Sequence, residues 1–292
     1  MSLPFHMVDV FAEAKLQGNQ LAVVRDERGV PSEQMQRIAK EINFSETTFI
    51  TAVDPEKLVF KVRIFTPESE LPFAGHPTLG TAYVIQQTIL RRQVEKLTLD
   101  LKAGMIPVSF TYRGGEPDIL WMRQLNPVFG AIHESGPVAE FLGLKAGDID
   151  SEYPVQEVST GVPFFMIPLR SRDAVKRVRL NVEKLRAYTA DTEAKWPLVF
   201  CREPEDGRNH LKVRMITTFT EDPATGSANG CLAGYLVKHR YFGKPVIDVR
   251  VEQGAEVGRP SLIYLRAEEK GPEKIEVNVG GRCATVARGE LL

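Results

Sequence analysis

The sequence predicts an α+β fold of two pseudo-symmetric halves, each a curled, mainly antiparallel sheet or barrel around a central helix. Three observations carry this. The chain is a succession of short β-rich runs broken by turn signals, with few helical patterns between them. Displacing the sequence by 151 residues, Lys61 onto Lys212, also places Val62, Arg63, Thr66, Glu70, Pro72, Gly75 and Ala82 on Val213, Arg214, Thr217, Glu221, Pro223, Gly226 and Ala233 without a gap. That is the mark of a duplicated half-domain. Each copy then runs into a segment rich in small residues: Gly80 and Ala82 in the first, Ala228, Gly230, Ala233 and Gly234 in the second. Glycine costs a helix about 1 kcal/mol against alanine. Several in one helix therefore imply that other backbone comes close, as around a helix enclosed by a sheet. The length of 292 residues also fits two domains. We place them at 1–118 and 119–279, with the C-terminal strand 280–292 able to rejoin the first.

Each element has its own justification. Residues 6–11 alternate apolar and polar and predict a strand, and the run from Leu21 predicts a second. The QGNQ segment between them is a turn signal. In PSEQMQRIAKEIN, Ser32 is the expected cap, Glu33 favours the first turn, and Met35, Ile38, Ala39 and Ile42 form one apolar face. Asn43 is the expected stop. TTFIT and LVFKVRIFT predict strands separated by a charged turn at Asp54–Lys57. A helix over about 76–90 follows, then a hairpin turning at Ala103-Gly104. In the second half, EVSTGVPFFMIPL predicts a strand pair, 182–187 a short helix, and WPLVFCRE and HLKVRMIT strands. A second small-residue helix is predicted over about 226–239, followed by four strand-like runs. The basic stretch 170–179 reads as a solvated loop or helix face.

Composition narrows the function classes. Lys and Arg total 37 and Asp and Glu 38, so no basic excess points to nucleic acid. No run approaches the roughly 18 apolar residues of a membrane helix. The N-terminal segment carries Asp9 and Glu13 and lacks the basic and apolar regions of a signal peptide. Cys201, Cys231 and Cys283 are odd in number, far apart and outside CxxC spacing, which fits a reducing cytoplasm. None of the five histidines forms HxxxH or HxH, so no metal site is expected.

The chemistry is expected at the two helix starts. TPESELPFAGHPTLG and TTFTEDPATGSANG each lead through a loop to a glycine that opens a helix. Peptide N–H groups there are unpaired and carry partial positive charge. Gly75-His76 and Gly226-Ser227 read either as ordinary helix starts or, if a pseudo-two-fold axis brings them to one cleft, as a seat for a small carboxylate. GxxxxGK[ST], GxGxxG and GxSxG are all absent, which argues against nucleotide loops and a serine hydrolase. His76 reads equally as a capping histidine or as a neutral hydrogen-bonding one. Asp222, before Pro223, is on its own a turn signal. Glu46 would not be singled out by composition.

Taken together, the segments VDVFAEAKLQGNQLAVV, INFSETTFI, FTPESELPFAGHPTLGTAYV, STGVPF, FTEDPATGSANGCLAGYL and GGRCATVARGEL resemble the PhzF family, named for the phenazine-biosynthesis isomerase. They run through essentially the whole chain in the right order. The resemblance implies a fold similar to that of diaminopimelate epimerase and an isomerase working without metal or organic cofactor on a small carboxylate-bearing substrate, as a homodimer. It implies that Glu46 moves a proton between carbons, and that His76 and Asp222 orient the substrate. It further implies that Asn19, Gly75, Gly226 and Ser227 bind the substrate. A general acid/base carboxyl must hold a proton near neutral pH, which burial favours. Related racemases carry a cysteine before the glycine of each helix start. Here those places are aligned with Ala74 and with Pro223 or its neighbour, and Cys231 is expected in the core. An amino-acid racemase or epimerase and a non-catalytic small-molecule-binding protein on the same scaffold are the alternatives.

Overall fold

The structure, a computed structural model, describes residues 2–26 and 28–292. The chain divides into two compact units, Met1–Met122 with Gly280–Leu292, and Arg123–Val279. In chain order, the first unit contains β1 (Leu3–Val10), β2 (Asn19–Arg25), α1 (Ser32–Ile42), β3 (Glu46–Asp54), β4 (Val59–Phe65), β5 (Glu70–Leu71), α2 (Gly75–Val84), β6 (Lys96–Leu101), β7 (Gly104–Arg113) and β8 (Glu116–Arg123). The second contains β9 (Val128–His133), α3 (Ser135–Leu142), β10 (Val155–Ser159), β11 (Pro163–Pro168), α4 (Arg172–Arg177), α5 (Val182–Tyr188), β12 (Pro197–Cys201), β13 (Leu211–Ile216), β14 (Glu221–Asp222), α6 (Gly226–Lys238), β15 (Val246–Gln253), β16 (Ser261–Gly271) and β17 (Lys274–Gly281). The last strand, β18 (Cys283–Leu291), returns to the first unit and pairs antiparallel with β1.

The internal repeat is visible in the pairing. In the first unit β2 runs parallel to β3, β3 antiparallel to β4, β4 antiparallel to β5 and parallel to β6, and β6 antiparallel to β7. In the second, β11, β12, β13, β14, β15 and β16 repeat that series of directions. The same displacement that aligns the sequences takes β5 onto β14 and the start of α2 onto the start of α6. It also aligns two ion pairs, Arg63–Glu70 and Arg214–Glu221, each made through two guanidinium nitrogens. The loops between these strands match too. Thr66 and Thr217 each accept N–H bonds from residues two and three further on.

Each sheet wraps a helix. Strands β1, β2, β3, β6, β7 and β18 contact α2, and β10, β11, β15 and β16 contact α6. Both helices are buried along most of their length. Close approach is the reason for their glycines. A Cβ on Gly80 would lie 2.6 Å from Leu21 Cδ2, and one on Gly234 would lie 2.5 Å from Pro127 Cγ. On the outer face of the first sheet, α1 covers Leu3, Val24, Phe49 and Phe65. Strand alternation puts Phe49 on that face and Thr48 on the other, where its hydroxyl meets that of Thr81 on α2 at 2.8 Å. In the second unit, α3, α4 and α5 cover the outer face. With both faces covered, β12 and β13 are buried throughout.

The fold is therefore the expected α+β one of curled sheets around central helices. The barrel option falls away, because among the described residues β8 and β18 do not pair to close the first sheet. Two local readings are corrected. Ser32 is the first residue of α1 rather than its cap: Pro31 holds that position, and the Ser32 hydroxyl accepts from Arg63 Nη1 at 2.9 Å. Asn43 does end the helix, in the left-handed conformation. The β6–β7 turn falls at Lys102-Ala103, since Leu101 already pairs with Gly104. The central helix of the first unit continues past Val84 as a π-helical stretch over Ile85–Leu90. Among the described residues, no helix is long and apolar enough to cross a membrane.

Candidate active site

In the first unit, Glu46 opens β3 beside Leu21 of β2, and His76 is the second residue of α2. These two local starts bring the side chains together: His76 Nε2 lies 3.3 Å from Glu46 Oε2, with the side chains 7% and 16% exposed. The same nitrogen lies 3.3 Å from the carbonyl oxygen of Gln20. A carbonyl can only accept, so this contact places the ring hydrogen on Nε2. Burial pushes the His76 pKa down to about 3 from an ordinary 6.5, against the smaller opposing effect of the Gln20 carbonyl. The imidazole is therefore neutral at pH 7. Its contact with Glu46, although short enough for an ion pair, is one between a carboxyl group and an uncharged ring whose hydrogen is directed at the Gln20 carbonyl.

Asn19, the buried first residue of β2, precedes Gln20 and pairs with Val10 of β1. Ala74, extended at φ −151° and ψ 145°, leads into Gly75 without a side-chain cap. Its carbonyl is taken by the Thr78 hydroxyl at 2.7 Å. Pro77 contributes no N–H, so Gly75 and His76 supply the N–H groups at this helix start.

In the second unit, Asp222 ends β14, and Gly226 and Ser227 open α6. Thr225 precedes Gly226 and makes no side-chain cap to the helix. Its hydroxyl instead donates to Asp222 Oδ2 at 2.6 Å. The residue equivalent to Ala74 is thus Thr225, not Pro223, and neither position carries a thiol. The expected core position of Cys231 is observed; it is fully buried in α6. The acid/base candidate has no counterpart in the second unit, because the displacement takes Glu46, at the start of β3, onto Pro197, at the start of β12.

The residues that sequence reasoning missed are Thr225, Asn229 and Gln253. Gln253, at the end of β15 and 1% exposed, donates from Nε2 to the Asp222 carbonyl at 2.8 Å and to Thr225 Oγ1 at 3.0 Å. Its Oε1 accepts from Asn229 Nδ2 at 2.9 Å and from the Thr225 N–H at 3.3 Å. The one signal in the sequence was an asparagine inside a small-residue helix, four residues after its cap. Among the described residues, no group of three or more His, Cys, Asp or Glu side chains is placed to hold a metal ion.

Comparison with known proteins assigns the chain to a lineage. The PhzC-PhzF family profile, described as "Phenazine biosynthesis-like protein", matches residues 8–289. An uncharacterised isomerase of Mesorhizobium japonicum is 34% identical over 297 residues, covering 98% of this chain and 97% of that one. The trans-2,3-dihydro-3-hydroxyanthranilate isomerase of Pseudomonas aeruginosa is 33% identical over 295 residues, covering 97% of each chain. The crystal structure of a Bacillus anthracis phenazine biosynthesis protein of the PhzF family superimposes with a TM-score of 0.90 at 27% identity, covering 100% of this chain and 99% of that one.

Proposed function

This chain belongs to the PhzF family of phenazine biosynthesis-like isomerases, and from that premise we propose that it moves a proton between carbon atoms of a small carboxylate-bearing substrate, with Glu46 as the general acid and base. The observation that carries the reading is the placement of Glu46, largely withdrawn from solvent, against a buried and neutral His76. In the proposed cycle the Glu46 carboxylate takes a proton from one substrate carbon. The resulting carboxylic acid then returns a proton to another carbon of the same delocalised system. Proton transfer by a positioned group contributes about 10²–10⁴-fold in rate. His76, neutral and with its one ring hydrogen directed from Nε2 to the Gln20 carbonyl, stands beside Glu46 without adding a charge that titrates at neutral pH. We assign Asn19 and the Gly75 N–H in the first unit, and the Gly226 N–H with Ser227 in the second, to binding polar groups of the substrate, its carboxylate above all. Asp222 is assigned to orienting it. Racemisation by two thiols is disfavoured, since Ala74 and Thr225 stand where the thiols would be needed.

The test is proton NMR in D₂O of trans-2,3-dihydro-3-hydroxyanthranilate mixed with the enzyme, run beside Glu46→Gln. Conversion with deuterium on a ring carbon, slowed about 10²–10⁴-fold in a folded variant, is the expected result. A variant that turns over at the wild-type rate removes Glu46 from the role. No conversion by the wild type removes this substrate and directs the search to other unsaturated or amino carboxylates.

A further inference from the structure

The buried polar network behind Asp222 has a direction. The amide of Gln253 can be oriented without ambiguity, because one end faces the Asp222 carbonyl, which only accepts, and the other faces the Thr225 N–H, which only donates. The Asn229 amide is fixed in the same way by the Thr225 carbonyl at 3.0 Å. Hydrogen bonds therefore run from Asn229 Nδ2 to Gln253 Oε1, from Gln253 Nε2 to Thr225 Oγ1, and from the Thr225 hydroxyl to Asp222 Oδ2. Because Gln253 Nε2 donates to Thr225 Oγ1, the hydroxyl hydrogen is left to point at the carboxylate. The members are 0%, 1% and 7% exposed for Asn229, Gln253 and Thr225, so water does not compete for these bonds. The backbone supports the same alignment. Gly254 sits at φ +79°, and a Cβ there would lie 2.4 Å from the Pro223 carbonyl oxygen.

We propose that Gln253 is a positioning residue for Asp222, acting through the Thr225 hydroxyl to fix the rotamer and hydrogen bonding of the carboxylate that faces the chemistry. This deepens the functional reading above and rests on it for the role of Asp222. A buried glutamine with both ends used in four hydrogen bonds is more than a space-filler, since partial loss leaves buried polar groups unpaired.

The test uses Gln253→Met, which keeps the length and removes the polar ends. On a substrate that the wild type converts, kcat should fall about tenfold to a hundredfold with KM within about twofold. In an Asp222→Asn background the same substitution should change kcat by less than about twofold, because both changes break one chain of contacts. Losses that multiply in the double variant, or a loss confined to KM, overturn the proposal. Should Gln253→Met fail to fold, Thr225→Val should show the same kcat loss, and Thr225→Ser should restore it; no restoration overturns the proposal. A readout independent of turnover separates this inference from the functional one. In ligand-free protein with ¹³C-labelled aspartate carboxyls, the resonance missing from Asp222→Asn identifies Asp222. It should shift at fixed pH in Gln253→Met and Thr225→Val alike, and an unmoved resonance overturns the proposal even if the isomerase activity stands.

Discussion

The two aligned ion pairs offer a controlled comparison of the same chemistry at two depths. Arg214 and Glu221 have side chains 6% and 11% exposed, whereas Arg63 and Glu70 are 26% and 25% exposed. Arg214 does more than pair. Its Nη1 also donates to the carbonyls of Val175 and Val178 at 2.8 and 3.2 Å, at the end of α4. Replacing Arg214 by Leu removes the guanidinium from a nearly buried carboxylate and from two carbonyls, of which Val175 keeps the Val178 N–H, and breaking such a pair costs about 3–5 kcal/mol. Replacing Arg63 by Leu leaves Glu70 with access to water and removes the bonds to the Ser32 hydroxyl and the Met35 sulfur and the contact over the Phe65 ring. That loss lies between the exposed and buried ranges, at about 1–2 kcal/mol. The assay is urea unfolding at pH 7, followed by fluorescence of Trp121 in the first unit and Trp196 in the second. The Arg214 variant should be the less stable by about 2 kcal/mol or more. Equal costs, or a larger cost at Arg63, would refute the argument from depth. The shallower pair also has a pH signature. The hydrogen bond from Arg63 holds the Glu70 carboxyl below its ordinary 4.5. Its contribution is therefore present above about pH 4.5 and lost as pH falls towards the folded value, and Arg63→Leu should remove that part of the acid-side slope.

Two further outcomes follow from the site geometry. The His76 ring should show no titration between pH 5 and 8 by NMR, since burial takes its pKa to about 3. Because the folded value lies below the unfolded 6.5, the ring contributes nothing to pH dependence above 6.5 and costs stability as pH falls from 6.5 towards 3; a midpoint near 6.5 in the folded protein contradicts this. Gly254→Ala should destabilise by about 2–4 kcal/mol, through strain at positive φ and collision with the Arg259 and Pro223 carbonyls. Gly80→Ala meets side-chain methyls of Leu21, Val10 and Val8 rather than backbone and should cost about 1–3 kcal/mol. Thermal unfolding that ranks Gly80→Ala as the worse of the two would count against this account.

The parts legible in the sequence were those written in local pattern or in repetition. The aligned stretch 61–82 and 212–233 carries strand, turn and helix start together, and the small residues of α2 and α6 announced the close packing that Leu21 and Pro127 impose. Helices α3 and α4, by contrast, span only eight and six residues and show too few turns for a clear apolar period. Ser32 carried a sound local capping signal that lost to a partner 31 positions away, Arg63. Glu46 illustrates the opposite limit. Nothing beside it in the chain distinguishes it, and its pairing with His76 exists only once β3 and α2 are placed. The Gln253 network was invisible for the same reason, since its contacts to Thr225 and Asn229 span 28 and 24 positions. Family resemblance supplied Glu46, but not the network.

The return of β18 to β1 has a consequence for biosynthesis. Leu3 to Val10 pair with Leu291 back to Cys283, so the opening strand waits for the closing one. A ribosome delivers residues 123–279, the whole of the second unit, before any of β18 exists. The half that is translated later can thus close first, while the half that begins the chain keeps one flank of β1 unpaired until the end. An unpaired strand flank in a nascent chain is a template for wrong pairing. The vulnerable interval of this protein is therefore set by the time needed to translate its second half.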